Sequence, residues 1–210
     1  GLFTHFAKSD ELDKAATEKQ LARYCAFREA CEAAGVKFQI HHCSNSAGII
    51  DLPEANLDMV RAGITVYGLY PSDEVKKELV PLRPAMEMKS HIVHVKTIAP
   101  GTEVSYGGIY TADSARRIAT VPVGYADGID RHLGCGRASF SLNGHRVPTI
   151  GNICMDMCML DITGVDAKVG DTVTIFGEDP TVSELADILG TIPYEIMTSI
   201  PRRIDREIIR

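Results

Sequence analysis

The chain has 210 residues, 45% hydrophobic and 24% charged, an ordinary composition for a globular protein with one large or two small domains. Its net charge of −6 argues against a nucleic-acid partner, because phosphate neutralisation needs a clustered basic face. No apolar run approaches the roughly 18 residues of a membrane span, so we expect no membrane partner.

The first 80 residues alternate between strand and helix patterns. Gly1–Ala7 is typical of a buried strand and does not begin with Met, so we expect a fragment of a longer protein. The pair Thr17 and Gln20 has the spacing of a capping box, and Gly35 predicts the end of that helix. Phe38–Cys43 and Leu57–Arg61 are predicted as two further strands. This alternation predicts a parallel sheet with crossover helices.

Residues 81–210 have the pattern of a second, mainly antiparallel β domain. Asn143-Gly144 lies between two apolar runs and predicts a type I′ hairpin. We expect strands at Cys154–Ile162 and Asp171–Phe176. Thr181 and Glu184 predict a capped helix that ends before Gly190.

Six cysteines are scattered through apolar segments, without a CxxC pair or disulfide-type spacing. We interpret them as small buried hydrophobic residues in a protein of the reducing cytoplasm, and we predict no metal site. They are Cys25, Cys31, Cys43, Cys135, Cys154 and Cys158.

Two segments of the first half have the residue types of a phosphate site. Arg61 and Gly63 precede a predicted helix at Ile64, whose free amides favour an anion. Ser46 adds a hydroxyl donor after the preceding strand. A packing glycine and a helix-capping serine are the alternative interpretation.

Four other residues carry groups suited to catalysis or binding. His5 lies in an apolar strand, where a hydrogen-bonded core histidine is the alternative to a catalyst. Tyr106 precedes Gly107-Gly108, and a phenol is a poor base at neutral pH unless a cation or donor stabilises the phenolate. Met155 and Asp156 lie in a predicted strand, so one of them is expected to face inward.

Seven segments taken together, spread from His5 to Glu195, resemble alanine racemases in content and order. They are Thr4-His-Phe-Ala7, His42-Cys-Ser-Asn-Ser-Ala47, Met59-Val-Arg-Ala-Gly-Ile64, Val104-Ser-Tyr-Gly107, Val123-Gly-Tyr-Ala-Asp-Gly128, Gly151-Asn-Ile-Cys-Met-Asp156 and Ile192-Pro-Tyr-Glu195. The resemblance implies the C-terminal units of a (β/α)₈ barrel in residues 1–80, followed by the family's β domain in residues 81–210. At most three barrel units fit in that length.

The resemblance also implies pyridoxal 5′-phosphate (PLP) as cofactor, a homodimer with shared active sites, and alanine racemisation that supplies D-alanine for peptidoglycan. Tyr106 would exchange the α-proton on the L-alanine side, next to the partner's cofactor, with His5 between Arg61 and the tyrosine. Arg61 would contact the pyridine nitrogen. The implied phosphate ligands are Ser46, Gly63, Ile64 and Tyr194, the implied substrate contact is Met155, and the implied entry corridor is Tyr125, Arg131 and Asp156.

The chain departs from the family pattern in two ways. The motif with the family's cofactor lysine does not occur, and Lys8 is a poor substitute, so we expect the isolated chain to be inactive. Asn152 stands where some members have arginine. The alternatives are a serine or broad-specificity amino-acid racemase, or a noncatalytic PLP-binding or dimerisation module.

Overall fold

A computed structural model describes residues 1–209 and divides the chain into two compact units, with the boundary between Ala85 and Met86. Among the described residues, no helix is both long enough and apolar enough to cross a membrane.

The first unit contains a parallel strand pair with a crossover helix. Strands β1 (Leu2–Phe3) and β2 (His41–His42) pair in parallel, and α1 (Ala15–Ala33) connects them. Helix α2 (Ser46–Asp51) follows, and short 3₁₀ turns occupy Pro53–Ala55, Ile64–Tyr67 and Lys77–Leu79. The parallel pairing predicted from the alternating pattern is therefore present. A small core holds these elements together; its buried members are Phe6, Tyr24, Cys43, Leu52 and Ala55.

Two local predictions in the first unit were wrong. Thr17 does not cap α1; it lies buried inside the first turn, and the helix begins without a side-chain cap. Gln20 instead donates to the Thr4 hydroxyl and the His5 carbonyl, so its side chain ties α1 to the segment after β1. The segment 57–61 is not a strand, because Leu57 has a φ of 52° and the chain turns there.

The second unit is built on a seven-stranded antiparallel sheet, as the sequence predicted. The strands of this unit are β3 (Met88–His91), β4 (His94–Ile98), β5 (Glu103–Val104), β6 (Tyr110–Thr111), β7 (Arg116–Val121), β8 (Ser139–Leu142), β9 (His145–Ile150), β10 (Cys158–Asp161) and β11 (Thr172–Phe176). The strand order in the sheet is β3-β11-β8-β9-β10-β7-β4, and β5 and β6 form a separate pair. Helices α3 (Val182–Leu189) and α4 (Pro193–Ser199) follow the last strand.

The turn and cap signals of the second half are confirmed. Asn143 and Gly144 have φ values of 50° and 79°, as a type I′ turn requires, and they join β8 to β9. The Thr181 side chain accepts a hydrogen bond from the Glu184 amide at 3.1 Å, and Gly190 ends α3 with a φ of 67°.

The predicted strand at Cys154–Ile162 is too long. Only Cys158–Asp161 pairs, because Gly151 has a φ of 61° and turns the chain out of β9. Met155 and Asp156 therefore lie in an exposed loop and neither faces inward. Below we call residues 151–156 the Gly151 loop.

Candidate active site

The proposed phosphate ligands of the first unit lie together. The Asn45 side chain caps α2 by accepting from the Gly48 amide at 3.0 Å, which places Ser46 in the first turn of that helix. The Ser46 Oγ accepts from the Gly63 amide at 2.9 Å and lies 3.2 Å from the Thr65 hydroxyl. Hydroxyls and amides therefore converge where Ile64 begins its 3₁₀ turn. These neutral groups now bond to one another, and a phosphate would fit here by accepting the hydrogen bonds of the Gly63 amide and the hydroxyls in their place.

Arg61 is the centre of a second cluster in the same unit. Its Nη2 donates to the carbonyls of Thr4 and Cys43 at 3.1 and 3.0 Å, and lies 3.3 Å from the His5 Nδ1. Its Nη1 lies 2.5 Å from the Nδ1 of His42. Because arginine has only donors, both imidazoles accept through Nδ1. The guanidinium is thus held by four hydrogen-bond contacts from two segments of the chain.

His42 was not identified from the sequence as part of this cluster. Burial and, after it, the Arg61 guanidinium lower the pKa of His42 from its ordinary value of 6.5. Its ring also stacks on Phe3, with ring centroids 5.1 Å apart. His42 is therefore neutral at pH 7 and remains an acceptor for Arg61.

His5 is not a buried core residue, which was one of the two interpretations of its sequence position. Strand β1 ends at Phe3, and the His5 side chain is exposed. Its Nδ1 faces Arg61, which leaves Nε2 available to a further group. The His5 ring is therefore oriented by Arg61 at Nδ1, while Nε2 lies on the exposed side chain.

Tyr106 lies in the second unit, at the start of a 3₁₀ turn that follows β5. Its side chain is 77% exposed. The Ser105 hydroxyl bonds to Asn152, and the Asn152 Nδ2 donates to the Tyr106 carbonyl at 3.3 Å. The Gly151 loop therefore holds the backbone that carries the phenol.

Tyr125 is tied to the same loop. Its amide donates to the Cys154 carbonyl at 3.0 Å, and the Ala126 amide donates to the Met155 carbonyl at 2.9 Å. A Cβ on Gly124 would lie 2.2 Å from the Cys154 carbonyl oxygen, so this close approach requires glycine. The structure thus brings Tyr106, Tyr125 and Met155 onto one framework.

The remaining predicted residues of the second unit lie nearby in the fold. Arg131 begins a 3₁₀ turn and, with Tyr125, lines a cavity of about 620 Å³. Asp156 is an exposed residue of the Gly151 loop. Tyr194 is the second residue of α4 and is half-buried.

Lys8 does not have the surroundings of a cofactor lysine. Its Nζ pairs with Glu11 at 3.1 Å, and the side chain is 55% exposed. A solvated ion pair of this kind lacks the desolvated surroundings that activate an amine nucleophile.

Sequence reasoning missed Thr65, Ser105 and Asp127 as well as His42. Asp127 is buried and accepts from the Gly124 amide at 2.9 Å while it pairs with Arg203 at 2.6 Å. A carboxylate three residues after a glycine, in Gly124-Tyr-Ala-Asp127, is the signal that could have indicated this turn. The other three residues depend on long-range contacts that no local pattern encodes.

Two family models match the chain. The model described as "Alanine racemase, N-terminal domain" matches residues 1–71, and "Alanine racemase, C-terminal domain" matches residues 85–208. Among curated proteins, the alanine racemase of Desulfovibrio desulfuricans is 48% identical over 208 residues, covering 98% of this chain and 56% of that protein. The alanine racemase of Methanococcus maripaludis is 44% identical, covering 98% of this chain and 56% of its own length.

Solved structures agree with the sequence comparisons. An alanine racemase of Clostridium difficile in complex with cycloserine superposes with a TM-score of 0.93 at 48% identity, covering 98% of this chain and 55% of that one. The alanine racemase from Bacillus anthracis with bound L-Ala-P superposes with a TM-score of 0.91 at 33% identity. That match covers 97% of this chain and 53% of that one. The chain thus spans about half the length of the relatives that it matches. Both family models match, and the identity to these relatives extends over nearly the whole of this chain. The chain therefore belongs to the alanine racemase family.

Proposed function

We propose that this chain provides one half of the catalytic machinery of a PLP-dependent alanine racemase. The observation that carries the proposal is the pair of clusters found on family-matched segments. One is the donor set of Ser46 and Gly63 beside Arg61, and the other is the exposed phenol of Tyr106 on the Gly151 loop. Residues 1–80 would form the last units of a (β/α)₈ barrel, and residues 81–210 the family's β domain.

The chain's residues would hold the cofactor at two points. Ser46, Gly63, Ile64 and Tyr194 would bind its phosphate through neutral donors. Arg61 would donate to the pyridine nitrogen, and because arginine does not give up a proton, that nitrogen would stay unprotonated. Bound PLP supplies stabilisation of negative charge at the substrate's α-carbon.

Tyr106 would accept the α-proton of L-alanine on its phenol oxygen. His5 accepts from Arg61 through Nδ1, so its Nε2 would donate to the phenol oxygen of the partner's Tyr106 and stabilise its negative charge. The proton on the opposite face would come from a second base, for which Lys8 is unsuited because of its ion pair with Glu11. In a head-to-tail homodimer, Tyr106 would serve the partner's cofactor.

The substrate would be positioned by the same loop. The Met155 backbone amide would donate to the carboxylate of alanine, while the Met155 carbonyl is already engaged by Ala126. Tyr125, Arg131 and Asp156 would line the entry path. Tyr194 would crowd the substrate side chain and so favour alanine over serine.

Racemisation by the full-length protein tests the proposed activity. Purified with PLP, it is expected to interconvert L- and D-alanine and to act on serine at least tenfold more slowly, since one additional polar atom changes binding by about 1–3 kcal/mol. Equal rates on serine would overturn the substrate assignment. No racemisation of either amino acid would overturn the function.

The isolated 210-residue chain is expected to produce no D-alanine even with added PLP, because it holds a candidate for only one of the two bases. Chiral chromatography of the reaction mixture measures this. D-alanine formed at a rate above that of PLP alone would contradict it.

A further inference from the structure

We propose that Ser105 and Asn152 act as positioning residues for Tyr106, forming a clasp that fixes the phenol relative to the Gly151 loop. This inference rests on the proposed function, since it takes Tyr106 as the base for L-alanine. Neither residue needs to touch substrate or cofactor. Their effect passes through the backbone of Tyr106.

Tyr106 needs such support because its own side chain provides little. It is 77% exposed, and none of the three residues in the turn Tyr106–Gly108 is buried. Gly107 and Gly108 both have positive φ values, 77° and 59°. A segment of this kind, with few buried contacts and flexible glycines, is mobile unless hydrogen bonds restrain it.

Ser105 has a backbone conformation that indicates such a restraint. Its φ of 74° and ψ of 171° lie in a region that almost only glycine adopts. The serine side chain compensates, because its Oγ accepts from the Asn152 amide at 2.9 Å and donates to the Asn152 carbonyl at 3.1 Å. Glycine at 105 would relieve the strain but would lose both hydrogen bonds.

Gly151 permits this contact. A Cβ there would lie 2.4 Å from the Ser105 Cβ and 3.1 Å from the Val104 carbonyl oxygen. Gly151 also has a φ of 61°, which side-chain-bearing residues adopt rarely. The two backbones can therefore approach closely only with glycine at this position.

Asn152 completes the clasp from the other side. Asn152 is only 8% exposed, and its Nδ2 donates to the Tyr106 carbonyl at 3.3 Å. The Cys135 Sγ, a weak donor, lies 3.9 Å from the Asn152 Oδ1 at the other end of the amide. Asn152 is three residues from Met155, so the clasp links the proposed base to the proposed carboxylate contact.

The test uses Ser105→Ala, Ser105→Gly and Asn152→Leu in the full-length, PLP-loaded protein. Each is expected to lower kcat about tenfold or more with KM within about twofold, because misplacement of a reacting group by 1 Å costs about a hundredfold. Ser114→Ala is the matched control, since the Ser114 hydroxyl bonds only to the exposed Asp113. Its rates are expected to equal those of the unmodified protein.

Isotope effects separate positioning from general destabilisation. A misplaced Tyr106 slows removal of the α-proton from L-alanine, so the α-deuterium effect on kcat is expected to rise for L-alanine and not for D-alanine. Ser105→Gly controls for loss of folding, because glycine removes the strain of the positive φ. Its melting temperature is expected to be no lower than that of Ser105→Ala. Hydrogen exchange of the peptide spanning 104–109 is expected to accelerate in all three variants.

The outcomes distinguish the clasp from the proposed function. If the three variants keep kcat within twofold while Tyr106→Phe abolishes turnover, the clasp is wrong and the function stands. The clasp is also wrong if the variants lower kcat but change the isotope effects on L-alanine and D-alanine equally. If Tyr106→Phe itself keeps full activity, the function on which the clasp rests has failed.

Discussion

Single side chains in the first unit carry several hydrogen bonds each, so their removal has measurable local consequences. Ser46 contacts Gly63 and Thr65, and Arg61 contacts four groups from two segments, 4–5 and 42–43. These contacts hold the hydroxyl, amide and guanidinium donors in fixed relative positions, which separate strand and turn segments would not do by themselves. The proposed cofactor contacts therefore depend on individual polar atoms rather than on a large apolar surface.

Ser46→Ala is expected to weaken PLP binding about tenfold or more, because a hydrogen bond to a charged phosphate contributes about 1.5–3 kcal/mol. Fluorescence titration of the full-length apoprotein with PLP measures the change. Thr163→Val provides a control, since its hydroxyl accepts from the Arg117 amide in the second unit. An unchanged affinity in Ser46→Ala would contradict the assignment.

His42 predicts a pH dependence of stability. Burial first, and then Arg61, lower the folded-state pKa of His42 below its ordinary value of 6.5. At a pH between the folded-state pKa and 6.5, the unfolded chain binds more protons than the folded chain. The contribution of His42 to the free energy of unfolding is therefore complete above about pH 6.5 and is lost as the pH falls through the folded-state pKa. His42→Asn keeps an acceptor for Arg61 without titrating, and its denaturation midpoint is expected to fall less between pH 8 and pH 5. Identical falls in both proteins would contradict this.

Elements that the sequence indicated clearly are those with local causes. The Asn143-Gly144 hairpin and the Thr181 cap are encoded by residues within four positions of one another, and both are present. The Thr17–Gln20 cap failed because Gln20 forms hydrogen bonds with Thr4 and His5, more than ten positions away. Residues 154–156 of the Gly151 loop were predicted as strand because their apolar character masks the turn that Gly151 imposes. The site residues were predicted from the family resemblance and stay predictions, whereas the contacts of Thr65, Ser105 and His42 are tertiary and no local pattern encodes them.

The turn that carries Tyr125 depends on the Asp127 carboxylate, which forms one backbone hydrogen bond and one ion pair. The Asp127 carboxylate is 9% exposed and accepts from the Gly124 amide, while Arg203 of the C-terminal segment is 52% exposed. Asp127→Ala is expected to destabilise the protein by about 2 kcal/mol, since it leaves the Gly124 amide without its acceptor. Arg203→Ala is expected to cost about 1 kcal/mol or less, because the guanidinium is largely solvated. Chemical denaturation of both variants measures this, and equal losses would contradict the ranking.

At the scale of the whole molecule, the proposed functional residues are divided between the two units. Those of the first unit include Ser46, Arg61, Gly63 and Ile64, and those of the second include Tyr106, Met155 and Tyr194. Both units match the same family, and the chain spans about half the length of its relatives. We therefore propose that this chain supplies the base for the L-alanine side of a two-base reaction.

The most direct test of that assignment is the α-proton exchange of each alanine enantiomer in D₂O, measured by NMR with full-length Tyr106→Phe. Removal of the phenol oxygen is expected to slow exchange from L-alanine by about a hundredfold or more. Exchange from D-alanine is expected to persist, because the opposite base is intact. Loss of exchange from D-alanine with retention from L-alanine, or no loss from either, would contradict the proposed role of Tyr106.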